Sequence, residues 1–133
     1  MILDTCFLVD IMRERKRNLT GPALRKLSEL ENAEIYTSIF TLCELRAGAE
    51  LSSNTKAELE RIEKMLQYIT VLYPDVTFPV LYGETEGYLR KKGTPIPVMD
   101  LLIGITAKAA GMPLVSKDTR HYDLIPGLVV EAY

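Results

Sequence analysis

With 133 residues, of which 47% are hydrophobic and 26% charged, the chain has the length of one compact domain with one apolar core, which excludes disordered, collagen-like and mucin-like classes. The 16 Lys and Arg against 18 Asp and Glu leave a formal charge of −2, too balanced to announce a nucleic-acid partner by itself. Two cysteines, Cys6 and Cys43, exclude a disulfide scaffold and read as small buried apolar side chains.

Met1-Ile2-Leu3 is a short apolar run that meets Asp4 at its carboxyl end, and Thr5 is placed to cap a helix carrying Phe7, Leu8, Val9, Ile11 and Met12. No basic segment followed by an apolar one opens the sequence, so no signal peptide is expected and the cytoplasm is the expected compartment. A basic turn, Arg13 to Asn18, leads to Thr20-Gly21-Pro22, where a polar cap and an early proline open a helix with Leu24, Leu27, Leu30 and Ala33 at helical spacing. Glu34 to Thr37 reads as a strand. Ser38 then caps a helix holding Ile39, Leu42, Cys43, Leu45 and Ala49, with Glu44 inside it.

From Asn54 onward, Leu59, Ile62, Leu66 and Ile69 fall on one face of a helix and charges on the other. Thr70 to Tyr73 reads as a strand, and a helix starting at Asp75 or Thr77 accommodates Pro79 in its first turn and stops at Gly93. Beyond Thr94-Pro95-Ile96-Pro97, a helix apolar on nearly every side runs from Val98 to Ala110 and closes at Gly111, which predicts a central, buried element. Asp100 and Lys108 interrupt this stretch, so it is not a membrane span. Leu114-Val115-Ser116 is a buried strand ending at Lys117-Asp118, and Leu128-Val129-Val130 is the last strand.

Short apolar strands separated by helices, with no two-residue hairpin, predict an α/β domain over residues 1–133 with parallel crossovers and helices on both faces of the sheet. In such sheets ligands bind beyond the carboxyl ends of the strands, where Asp4 and Asp118 fall. Asp100 occupies the first turn of the buried helix and Glu44 a largely apolar helix; capping explains Asp4, Asp100 or Asp118 singly, but the set together points to a site. Converging carboxylates would repel one another unless a cation neutralised them, and an all-oxygen pocket suits Mg²⁺ or Mn²⁺. The single histidine, His121, rules out a two-histidine acid/base mechanism within one chain, and no nucleophile-elbow or P-loop motif appears.

Ile2-Leu3-Asp4-Thr5, Glu44-Leu45 with Gly48, Asp100-Leu101-Leu102-Ile103 and Leu114-Val115-Ser116-Lys117-Asp118 followed by His121-Tyr122 stand in the order of the PIN-domain family, and over this length the chain resembles VapC-type toxins. The resemblance implies a PIN-like fold of about four to five parallel strands sandwiched by helices. It implies a four-acid Mg²⁺ or Mn²⁺ site formed by Asp4, Glu44, Asp100 and Asp118, with Thr5 and Ser116 at the small-hydroxyl positions. It also implies endoribonuclease activity on an RNA substrate, inhibition by a cognate antitoxin that places an Arg or Lys near the acids, and a homodimer. Lys117 and Tyr122 depart from the family's pattern.

On this reading Asp4 and Asp100 are the firmest metal ligands and Asp118 the next, while Glu44 orients water or holds a second ion. Thr5 serves equally as a helix cap or as a hydrogen-bond partner of an acid or phosphate. Arg13, Arg15, Lys117 and Arg120 are either solvated charges or grips for RNA phosphates. The helices over 20–33 and 54–69 either pack on the core or form a groove for a partner helix. Three other classes compete. A haloacid-dehalogenase-like phosphatase would need an acid where Cys6 stands, a phosphoacceptor receiver would need paired acids where Thr5 follows Asp4, and a regulatory RNA-binding module would share the fold without catalysis.

Overall fold

The computed structural model describes residues 1–133. In chain order the elements are β1 (Ile2–Leu3), α1 (Thr5–Lys16), α2 (Pro22–Glu29), β2 (Tyr36–Ser38), α3 (Ile39–Glu50), α4 (Thr55–Leu66), β3 (Thr70–Leu72), α5 (Phe78–Lys91), α6 (Val98–Ala109), β4 (Leu114–Val115), α7 (Thr119–Tyr122) and β5 (Val130–Glu131). All five strands are parallel, in the order β3-β2-β1-β4-β5. Ile2 lies between Tyr36 and Leu114, and Leu3 between Thr37 and Val115, so the first strand of the chain is the centre of the sheet.

Alternation along these short strands divides the apolar side chains between two layers. Ile2 and Leu114 face a core built with Leu89, Leu101, Ile105 and Tyr122, from α5, α6 and α7. Leu3 and Val115 face the other, with Phe7, Leu8, Leu45 and Ile62, from α1, α3 and α4. Both layers are closed, which is why the central strands need no polar face.

Helix starts account for several boundaries. Asp4, not Thr5, caps α1, its Oδ1 accepting from the Phe7 amide at 2.8 Å. Of two adjacent capping side chains, the first is the one with extended backbone, and Thr5 is thereby released into the helix. At α2 the cap is Gly21 and not Thr20, and Glu14 of α1 supplies the missing acceptor to the Ala23 and Leu24 amides at 3.1 and 2.9 Å. That helix is also shorter than its apolar spacing predicted. Ser38 caps α3 as its sequence position predicts, and Asn54, where the α4 pattern begins, caps that helix.

The Val98–Ala109 helix is central, with Leu101, Ile103, Ile105 and Ala107 buried. It approaches the α7 region so closely that a Cβ on Gly104 would stand 2.4 Å from Ile125 Cδ1 and 3.3 Å from Tyr122 Cδ1. Tyr122 is buried in this contact, so its departure from the family's pattern is absorbed by packing. The cysteine expectation fails: Cys43 is exposed and Cys6 only half-buried, because α3 turns one face to solvent and Cys6 sits at the edge of α1. No helix is long and apolar enough to cross a membrane.

Candidate metal centre

The chain runs β1, β2, β3 outward in one direction and then returns to lay β4 on the opposite side of β1. This reversal opens a crevice at the carboxyl ends of β1 and β4, where open parallel sheets bind ligands. Asp4 follows β1 and Ser116-Lys117-Asp118 follows β4, so chain topology alone brings residues from both ends of the sequence to one place.

Asp4 is the floor of the crevice, only 2% exposed. Ser116 Oγ donates to Asp4 Oδ2 at 2.5 Å and accepts from the Asp118 amide at 2.9 Å, so one buried hydroxyl orients one acid and fixes the loop bearing another. Burial pushes the Asp4 carboxyl up to about 6; the bonds from Ser116 and the Phe7 amide oppose this, and the nearby Asp100 charge adds to it.

Asp100 stands in the first turn of α6 and Asp118 caps α7. His121 Nδ1 lies 2.8 Å from Asp100 Oδ2 and 3.0 Å from Asp118 Oδ2, joining the two carboxylates. Burial raises the Asp100 carboxyl, His121 counteracts it, and the charges of Asp118 and Glu44 raise it further. Glu44 projects from α3 and accepts from the Thr5 hydroxyl, so of the two roles left open for Thr5 the contact with an acid is the one seen. The four predicted acids are therefore within electrostatic reach of one another, and Thr5 and Ser116 each hold one of them.

The basic residues divide. Lys117 is turned onto Asp10, 2.5 Å away, and Tyr133 Oη donates to the same carboxylate at 3.1 Å. Burial would raise the Asp10 carboxyl, but the Lys117 bond and charge outweigh it and hold it below the usual range. Arg13 also pairs with Asp10 at 3.6 Å and lines a groove between α1, α3 and α4 that reaches Glu44. Arg15 lines a different groove with Lys64 and Met65, apart from the acids. Arg120 is exposed beside His121, its Nη2 3.4 Å from Nε2.

His121 is the residue at this site that the sequence reading left out. Its signal was three-residue spacing from Asp118 in a short turn, which places both on one face once α7 forms. The donor set fits a divalent cation: Asp100, Asp118 and His121 bring one ligand atom each within 4.8 Å of one another, and the buried Asp4 carboxylate has no cationic partner of its own in direct contact.

Acids from separate elements gathered at the switch point of a parallel α/β sheet make a ligand crevice whose oxygen donors suit a hard divalent cation. The family model for the PIN domain matches residues 1–125, and the chain belongs to that family. It is similar to Ribonuclease VapC1 of Haemophilus influenzae (strain R2866), 29% identical over 127 residues, covering 96% of this chain and 92% of that one. It is also similar to the tRNA(fMet)-specific endonuclease VapC of Salmonella typhimurium, 30% identical over 108 residues, with 81% and 82% covered. Among solved structures, VapBC2 from Rickettsia felis bound to a DNA fragment from its promoter superposes with a TM-score of 0.90 at 25% identity, covering 99% of this chain and 97% of that chain. DNA-bound VapBC from Salmonella typhimurium gives 0.87 at 27% identity, covering 98% and 96%.

Proposed function

We propose that this chain, working as one domain, is a divalent-metal-dependent endoribonuclease and the toxin of a toxin–antitoxin pair. The observation that carries the reading is the convergence of Asp4, Glu44, Asp100 and Asp118 at the switch point of a PIN domain whose relatives are named ribonucleases. Asp4, Asp100 and Asp118 hold the ion and Glu44 orients a water molecule or a second ion. When bound, Mg²⁺ or Mn²⁺ supplies Lewis-acid polarisation of the scissile phosphate and lowers the pKa of a coordinated water.

The chain's own residues do the rest. Ser116 fixes the Asp4 carboxylate at the crevice floor, and Thr5 holds the Glu44 carboxylate in the same way. In-line attack by the oriented water would break the P–O3′ bond and leave a 5′-phosphate and a 3′-hydroxyl, and the substrate is RNA held by exposed cations, with Arg13, Lys117 and Arg120 the candidates beside the site. Resemblance to VapBC assemblies supports a cognate antitoxin as partner. In this reading it sits in the groove between α1, α3 and α4 with a basic side chain toward Glu44, and the toxin is a homodimer acting in the cytoplasm.

The test is cleavage of a defined RNA with metal, with chelator and with Asp4→Asn. The expected result is loss of cleavage in both of the latter; full activity in both would remove the reading.

A further inference from the structure

We propose that His121 is a nitrogen donor to the ion at this centre and that it shifts the preference of the site from Mg²⁺ toward divalent first-row transition ions, Mn²⁺ among them. The inference rests on the reading that these acids hold a divalent ion.

Its basis is the position of one ring atom. His121 Nδ1 faces two carboxylate oxygens at once, at 2.8 Å and 3.0 Å. A single ring N–H can point at only one of them, so hydrogen bonding accounts for one contact well and the other poorly. Coordination accounts for both, because adjacent donors around an octahedral ion at about 2.1 Å are about 3 Å apart. The side chain is also held: it is 20% exposed, carried on a turn whose next residue, Tyr122, is buried against α6.

The other ring nitrogen sets a condition. Arginine only donates, so the contact of Arg120 Nη2 with Nε2 at 3.4 Å uses the Nε2 lone pair and leaves the proton on Nδ1. Coordination through Nδ1 moves that proton to Nε2, and Arg120, fully on the surface side, turns to solvent. Mg²⁺ keeps oxygen ligands and waters in preference to imidazole, whereas transition ions accept imidazole readily, so a nitrogen in the donor set discriminates between them.

With one histidine in the chain, the assignment can be made without any substitution. Mn²⁺ is bound to the full-length protein prepared without a polyhistidine tag, and pulsed electron paramagnetic resonance reads nitrogen coupling to the ion. Expected is a ¹⁴N coupling that becomes a ¹⁵N coupling when only histidine is ring-labelled. Bound Mn²⁺ showing solvent protons but no histidine nitrogen would overturn the inference and leave the four-acid reading intact; failure to bind Mn²⁺ at all would overturn both. In titration calorimetry, His121→Gln should weaken Mn²⁺ binding at least about tenfold with Mg²⁺ binding little changed. Equal losses for both ions would overturn the discrimination assigned to the nitrogen donor, and tighter binding of either would overturn coordination itself and mark the imidazole as an occupant the ion must displace.

Discussion

Asp4 and Ser116 sit on the ends of the central strands, inside the fold, each with its hydrogen bonds supplied by backbone or by the other. Asp100 sits in the first turn of α6 and Asp118 and His121 at the cap and in the single turn of α7, with side chains 20–37% exposed, and the two carboxylates are joined through the His121 ring. The floor of the crevice is thus fixed by packing before any ligand arrives, while the rim is a balance of like charges relieved by one imidazole. Floor and rim should therefore respond differently to substitution, pH and salt.

The largest difference is expected in chemistry. Asp4→Asn removes a charge that no neighbour replaces and should lower single-turnover RNA cleavage by about 10²–10³-fold, whereas Glu44→Gln should cost about tenfold. Equal effects would erase the distinction between the buried floor and the half-exposed acid on α3.

Next is pH. The folded Asp4 carboxyl, at about 6 against 3.8 for the ordinary group, binds a proton that the unfolded chain has already released between those values. Metal-free protein therefore loses stability as pH rises from about 4 to 6, on the order of 2–3 kcal/mol from this group, and the loss levels off above it. Thermal unfolding in chelator should show this decline, Asp4→Asn should flatten it, and saturating Mn²⁺ at pH 7.5 should offset it. A wild-type profile that rises over that interval and is unchanged in the variant would contradict the burial argument.

Ser116→Ala leaves both Asp4 Oδ2 and the Asp118 amide without their partner and should cost about 1–3 kcal/mol in denaturant unfolding. Thr5→Val, which touches only the half-exposed Glu44, should cost less. The smallest effect is expected at Lys117, which is half exposed and paired with Asp10. Lys117→Ala should change stability by under about 1 kcal/mol. If Lys117 reaches phosphate, the same variant should reduce the salt slope of RNA binding by about one, measured as log affinity against log salt; an unchanged slope would confine Lys117 to its bond with Asp10.

Much of this arrangement was legible in the sequence, for identifiable reasons. Strand β1 and Asp4, the cap Ser38, the charged face of α4 and the apolar α6 each carry a local pattern that tertiary packing reinforces. Other features carried none. Adjacent Asp4 and Thr5 are both capping residues, and only backbone geometry chooses between them. Glu14 caps a helix other than its own, which no local window contains. Exposed Cys43 shows that α3 is covered on one side only, a fact of layer position. The His121–Asp100 contact spans 21 positions and forms where α6 packs closely on the α7 region at Gly104, so composition placed the histidine in the chain but not in the crevice.

The bond between Ser116 and Asp4 joins residues 112 positions apart, across a sheet whose central strand is made first and whose flanking β4 is made near the end. A chain in which β4 has not yet docked carries Asp4 but has neither Ser116 in place to orient it nor Asp118 and His121 to complete its surroundings. Strand β1 waits with one edge open until β4 emerges, which makes this a slow, late-closing topology. The centre and the sheet are thereby one cooperative unit: until β4 docks on β1, Asp4 has neither its orienting hydroxyl nor the side chains that complete its surroundings.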